Sequence, residues 1–310
     1  MKGNLLSSMG LKAKILITGS SGLIGSALSS VFTGLGVSVV GLDIACGEQP
    51  RDVADLDSCL ERIQGCTGVV HLAAVSRVVW GEQDPPKCHA VNVGGTKNIL
   101  DAALEQSNPP WVLFGSSREV YGQADELPAT EDAAYKEINV YGRAKVEGER
   151  LCLAAREHGL VTGIVRFSNV FGGINDHPDR VTPAFAHAAI SGSEIRVDGA
   201  NHTFDFTYID DVVDGIVKFC RRLEAGDGHL PPIHLVTGQG TKLIQLAQLA
   251  RDYSQGACNI RQAPEREYDV AHFIGEPSRA TELLKWKAKV HLKEGFQRFL
   301  SDLKSHQSKT

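Results

Sequence analysis

Tyr141 and Lys145, in the stretch "YGRAK", stand four residues apart, so in a helix both side chains share a face. A phenol is a poor base at its usual pKa near ~10, but a neighbouring ammonium favours the phenolate and makes the tyrosine a usable proton acceptor. The same spacing is also that of an ordinary exposed helix pair, so the chemistry needs companions. "FGSSREVYG", residues 114–122, supplies one. Its Ser117 follows an apolar run, and a hydroxyl at the carboxyl end of a central strand can hold the substrate oxygen whose proton Tyr141 takes.

These groups need a frame that ends strands at a common edge. The valine- and isoleucine-rich runs "KILITG", "SVVGLD", "GVVHLAA", "WVLFGSS" and "GIVRFSNV" recur along the chain, mostly separated by segments of helical spacing. Such alternation predicts parallel strands with helices on both faces, and a ligand crevice at the strand carboxyl ends. "INVYGRAKVEGERLCLAAREHG" is expected to be a single helix bearing Tyr141 and Lys145. After about residue 170 the pattern loosens into a Gly/Asp/Pro-rich loop, short strands at "IRVDG" and "FDFTYI", and helices around 242–253 and 292–303. The expected architecture is α/β: a doubly wound parallel sheet of Rossmann type with a smaller C-terminal substrate-binding lobe. The nucleotide domain is placed at 13–170, with 205–240 returning to it, and the lobe at 171–204 and 241–303.

"ILITGSSGLIGSAL" puts Gly19, Gly22 and Gly25 between the first strand and a helix. A turn this tight lets the backbone approach a pyrophosphate, and the helix amino terminus, Leu23 and Ile24 included, supplies N–H groups. Asp43 ends the second strand, where a carboxylate can accept both ribose hydroxyls, favouring NAD over a cofactor with a 2′-phosphate. An aspartate there can also be a plain turn cap.

Composition narrows the partners. The 310 residues carry a net charge of -5, with 42% hydrophobic and 22% charged side chains, and no basic cluster with interleaved aromatics suggests nucleic acid. No segment approaches the roughly 18 apolar residues of a membrane span, and the first fourteen residues are a poor signal peptide. Met9 is read as a possible second start. Seven cysteines without a C-x-x-C pair are read as buried or incidental thiols in a reducing, cytoplasmic compartment. His71, His177, His187 and His202 have no metal-ligand spacing, so no metal is expected. Trp80, Trp111 and Trp286 are read as packing anchors.

Taken together, "TGSSGLIG", Asp43, "RDVAD", "HLAA", "NVGGTKNILDAA", "SSREVYG", "YGRAK", "RFSNVFG" and "LLKWKAKVHLKEGF" give the chain a specific resemblance over residues 13 to 303. It resembles the extended short-chain dehydrogenase/reductases, specifically the NAD-dependent nucleotide-sugar epimerases and dehydratases. The resemblance implies that Ile44, Asp52 and Val53 lie at the adenosine and that Leu72, Ala73 and Ala74 line the cofactor. It implies that Lys145 binds the nicotinamide ribose and, with the positive nicotinamide, tunes Tyr141. Asn169 would contact the sugar nucleotide, Arg266 its diphosphate, and Arg77 would border the sugar. Tyr141 would deprotonate the hydroxyl on sugar carbon 4 as hydride leaves for NAD, giving a transient 4-keto sugar. The expected enzyme is a 4-epimerase; a dehydratase, a uronate decarboxylase, a 4-keto-sugar reductase and a catalytically silent NAD-binding regulator are the alternatives. A homodimer is also implied.

Two positions depart from the family pattern. Dehydratases resembling this chain show Asp-Glu where it has Arg118-Glu119, so Glu119 is either a proton-transfer group or a structural one, and Arg118 is read as a solvated side chain in preference to a substrate-charge partner. Phe204 stands where relatives commonly place an arginine on the diphosphate, so Arg180 and Arg196 are candidate replacements.

Overall fold

The computed structural model describes residues 13–45, 51–266 and 268–308; Cys46 and the amino-terminal stretch containing Met9 lie outside the described residues. Eleven strands are formed among these: β1 (Lys14–Thr18), β2 (Ser38–Leu42), β3 (Gly68–His71), β4 (Trp111–Ser117), β5 (Thr162–Phe167), β6 (Asn169–Phe171), β7 (Ile195–Asp198), β8 (Thr203–Tyr208), β9 (Ile233–Leu235), β10 (Gly240–Lys242) and β11 (Ile260–Ala263). The main sheet has six parallel strands in the order β2-β1-β3-β4-β5-β9. From β1 the chain goes one way to β2 and the other way to β3, so the strand order reverses at β1/β3 and opens a crevice there.

Helices α1 (Leu23–Gly34), α2 (Leu56–Ile63), α3 (Val78–Gln83), α4 (Pro85–His89), α5 (Gly95–Leu104), α6 (Val140–Glu157), α7 (Val181–Ser191), α8 (Ile209–Glu224), α9 (Leu243–Tyr253), α10 (Ser278–Leu284) and α11 (Leu292–Gln307) complete the frame. The strands are apolar on both faces because both are covered. Ile15, Ile17, Trp111 and Leu113 join a core with Phe32 of α1 and Ile216 of α8. The alternate residues Leu16, Val112 and Phe114 join a second core with Ile63, Ile99 and Cys152 from the opposite helices. This is the two-residue strand period meeting two helical layers.

One expected strand divides. "GIVRFSNV" runs as β5 to Phe167, breaks at Ser168, and resumes as β6, which pairs in parallel with β8 in a second sheet completed by antiparallel β10. The apolar run does not reveal the break, because both halves are buried, each against a different sheet. β7 and β11 form a further parallel pair. Trp111 and Trp286 are buried anchors, and Trp80 is half-buried. The six described cysteines are free and buried. No helix of the described residues is long and apolar enough to cross a membrane.

A buried ion pair clamps α6 to the sheet. Arg166 of β5 gives Nε to Glu149 Oε1 at 2.8 Å and Nη2 to Oε2 at 2.6 Å. Its other N–H groups reach the Tyr121 hydroxyl, the Glu131 carbonyl and the Tyr135 hydroxyl. Glu149 also accepts from Ser116 of β4 at 2.5 Å and from Tyr135 at 2.8 Å. Every guanidinium donor is thus used, which is what makes burial of the charge tolerable. Glu149→Ala leaves that charge uncompensated; urea denaturation is expected to show a loss of about 3–5 kcal/mol, and a loss below ~1 kcal/mol would contradict the clamp.

Candidate active site

A cavity of about 780 Å³ opens at the carboxyl ends of β1, β3, β4 and β5 and extends to the second and third sheets. Its nucleotide end is built by the glycine turn. Gly19 has φ of 68°, and a Cβ there would lie 2.8 Å from the Ala73 nitrogen; one at Gly25 would lie 2.1 Å from the Gly19 carbonyl oxygen. Glycine at these two positions lets the β1–α1 turn touch the end of β3 and lets α1 start directly beneath it. Gly22 is the N-cap of α1, so the amides of Leu23, Ile24 and Gly25 have no acceptor within the helix. The cradle therefore suits an anionic pyrophosphate.

Asp43 fixes this turn and borders the cavity: Oδ2 accepts from the Ser21 amide at 2.9 Å and Oδ1 from the Ala45 amide at 2.8 Å. Ile44, Asp52 and Val53 line the same end, with Val53 wedged against Gly95. Leu72, Ala73 and Ala74 follow β3 along the cavity wall.

A polar relay holds that wall. Thr18 Oγ1 accepts from the amides of Leu72 and Ala73 at 3.1 Å each, so its proton goes to His71 Nδ1 at 2.7 Å. The His71 Nε2 proton then faces Thr96 Oγ1 at 3.0 Å, and that hydroxyl donates to the Asn92 carbonyl at 2.6 Å. Burial, with the Lys145 charge added, pushes the His71 pKa down to about 3.

The candidate catalytic groups converge where β4 ends against α6. Lys145, 3% exposed, gives its ammonium to the Gly115 carbonyl at 2.7 Å, and the ammonium lies 5.7 Å from the centre of the Tyr141 ring. Burial lowers the Lys145 pKa to about 8. Burial raises the pKa of the Tyr141 phenol to about 12, outweighing the lowering by the Arg180 charge and by the Ser117 hydroxyl beside it; Glu119 adds to the rise. The sequence suggested a lowered phenol. Within the protein alone desolvation wins, a balance of burial and charge that spacing does not reveal.

Glu119 is 5% exposed, with Oε1 at 3.0 Å from Arg118 Nη2 and Oε2 accepting from Asn139 Nδ2 at 2.8 Å. Asn139 caps α6 through the Gly142 amide, so the same residue sets the helix start and the carboxylate. Arg118 is not the solvated side chain expected. It is 9% exposed, and its guanidinium carbon lies 4.4 Å from the centre of the Phe204 ring. The apolar ring faces of Phe204 and Phe273 draw it inward, which local sequence could not show.

All the arginines expected at the substrate line the cavity, with Asn169. Arg77 meets His177 Nδ1 at 3.2 Å and Asp179 at 3.7 Å, and lies over Trp80. Arg180 pairs with Asp176 at 3.5 Å, Arg196 with Asp198 at 2.7 Å and Arg266 with Asp269 at 2.9 Å. Sequence reasoning missed Trp80, Asp176 and His177 as cavity residues. The Trp80 and His177 rings meet edge to face at 4.7 Å. The loop character of "INDHPDR" was a signal for exposure; its fold back over the cavity was not encoded locally.

Such a frame, a glycine turn opening a dinucleotide crevice that leads to a serine, a tyrosine and a lysine, defines an NAD-dependent enzyme of the α/β class. The pattern of the NAD dependent epimerase/dehydratase family matches residues 15–231, and the chain belongs to that family. It is similar to UDP-N-acetyl-alpha-D-glucosaminuronate decarboxylase of Bacillus cytotoxicus, 32% identical over 301 residues, with 89% of this chain and 91% of the relative covered. It is also similar to UDP-glucose 4-epimerase of Mycolicibacterium smegmatis, 29% identical over 308 residues, with coverage of 91% and 96%. The solved structure of MoeE5 in complex with UDP-glucuronic acid and NAD shares the fold, with a TM-score of 0.86 at 24% identity over 95% of this chain and 100% of that one.

Asp43→Asn is expected to weaken NAD affinity roughly ten- to hundredfold in calorimetric titration; an unaltered affinity would remove the ribose assignment. A second expectation concerns acid. His71 and His234 both have pKa values pushed by burial to about 3, below the ordinary ~6.5 of the unfolded chain. The unfolded state therefore binds more protons, so their stabilisation is whole above pH ~6.5 and is lost as pH falls toward ~3. The melting temperature should drop across that window, and less steeply in His71→Gln; equal slopes would show that His71 does not contribute.

Proposed function

We propose that this protein is an NAD-dependent nucleotide-sugar 4-epimerase. The observation that carries the reading is the convergence of the Ser117 hydroxyl, the Tyr141 phenol and the Lys145 ammonium on one wall of the cavity that the glycine turn opens. The curated relatives named above act on UDP-sugars by their names, which supports the substrate class.

In this reading the Gly19–Gly25 turn and the start of α1 hold the cofactor diphosphate, and Asp43 its adenosine ribose. Ser117 holds the oxygen on sugar carbon 4, Tyr141 takes its proton, and Lys145 binds the nicotinamide ribose while its charge favours the phenolate. NAD, when bound, accepts and later returns the hydride of carbon 4 and adds a positive ring charge at the phenol. Arg180, already acting on Tyr141, favours the same phenolate. Epimerisation would require the keto sugar to turn within the cavity, which Asn169 also lines and whose wall at Arg196 and Arg266 would hold the nucleotide diphosphate. We assign this wall to a substrate lobe at 171–204 and 241–303, and a homodimer through α6 belongs to the same reading.

Elimination or decarboxylation through Glu119 is less favoured, because both of its oxygens are committed, one to Arg118 and one to Asn139. A reductase would consume NADH, and a silent NAD-binding regulator has no physical need of all three groups. Purified protein with NAD and a panel of nucleotide sugars is expected to give an isomer of unchanged mass. Tyr141→Phe is expected to lower turnover by about 10²–10⁴-fold while NAD affinity stays within about threefold; undiminished turnover would refute the mechanism.

A further inference from the structure

The first turn of α6, which carries the phenol, is held by two side chains. The opening amides of a helix have no partner within it. Asn139 accepts from the Gly142 amide at 2.7 Å and is itself fixed by Glu119. The Val140 amide is met from a different element: Glu82 of α3 accepts it on Oε1 at 2.8 Å. Tyr141 is the second residue of α6 and sits between these two anchored amides.

The short helix α3 serves two neighbours. Val78, Val79 and Trp80 line the cavity. Gly81 is buried against α6, where a Cβ on it would stand 3.5 Å from the Tyr141 nitrogen and 3.7 Å from the Tyr141 Cβ. The residue that carries the phenol therefore backs directly onto α3. Helix formation does not require Glu82, because Asn139 caps α6 and the Glu149–Arg166 pair clamps its body. What Glu82 adds is a fixed direction for the first turn, through a charge-assisted bond that the positive end of the helix favours. The phenol hydroxyl stands at the end of a long side chain, so a small rotation of the backbone at 140–142 is enlarged there and carries the hydroxyl away from Ser117 and Lys145.

We propose that Glu82 is a positioning residue for the reaction: by accepting the Val140 N–H it sets the first turn of α6 and, through that turn, the place of the Tyr141 phenol. This rests on the epimerase reading above. The test is steady-state kinetics of the full chain with NAD on UDP-glucose and UDP-glucuronate. Glu82→Ala should lower kcat roughly ten- to hundredfold, the scale of a misplacement of about 1 Å, with KM and NAD affinity within about threefold of wild type. Glu82→Gln keeps an oxygen that can accept the same hydrogen bond and should recover most of the loss, which separates positioning from misfolding. The contact is also read without turnover: amide hydrogen exchange over residues 139–145 should quicken about tenfold in Glu82→Ala and stay near wild type in Glu82→Gln. Unchanged kcat in Glu82→Ala overturns the proposal, and so does a fall of NAD affinity in step with kcat, which would show a general collapse of the cavity. A loss in Glu82→Gln as large as in Glu82→Ala, or unchanged exchange in Glu82→Ala, removes the hydrogen bond as its basis. If wild type converts neither sugar, the epimerase reading itself falls, and this role with it.

Discussion

The buried pair between Glu149 and Arg166 is the constraint on which the site depends. Lys145 and Glu149 lie one turn apart on α6, so anchoring the second to β4 and β5 fixes the depth and rotation of the first. With α6 so held, the Lys145 ammonium reaches the Gly115 carbonyl and the Tyr141 ring faces the end of β4. A hydrophobic contact of equal area would permit rotation and sliding. A guanidinium with five acceptors permits one arrangement, because each displaced bond leaves a buried donor unmet.

Burial has opposite consequences at the two ends of the cavity. At His71 it keeps the ring neutral, which suits a residue that only passes hydrogen bonds from Thr18 to Thr96. At Lys145 and Tyr141 it disfavours both charged forms, leaving a phenol that is not charged by the protein alone. The charge that opposes this at the phenol is that of Arg180, which precedes α7 and is not on the phenol's own helix. Its origin in a different element makes the balance at Tyr141 a tertiary property.

Arg118 and Phe204 make the same point from a position where the family pattern is broken. The aromatic at 204 cannot hold an anion, yet its ring face supports a guanidinium that arrives from the turn after β4. Charge lost from one element reappears beside it from another. Asn139 completes the arrangement by capping α6 and holding the Glu119 carboxylate with a single side chain.

The sequence by itself determined the strands, because alternating cores on two faces need continuous apolar runs, and it determined the glycine turn, because no other residue fits beside Ala73 and the Gly19 carbonyl. Tyr141 and Lys145 were legible for the same local reason, a helical turn. Their convergence with Ser117 needed the strand ends and the helix to meet. Only the tertiary structure decided that "GIVRFSNV" divides between two sheets, that Trp80 and His177 border the cavity, and that Arg118 turns inward onto Phe204. Period and turn chemistry act over a few residues and leave their mark in order and spacing. Burial and charge balance depend on groups far apart in the chain, and such sums have no local signature.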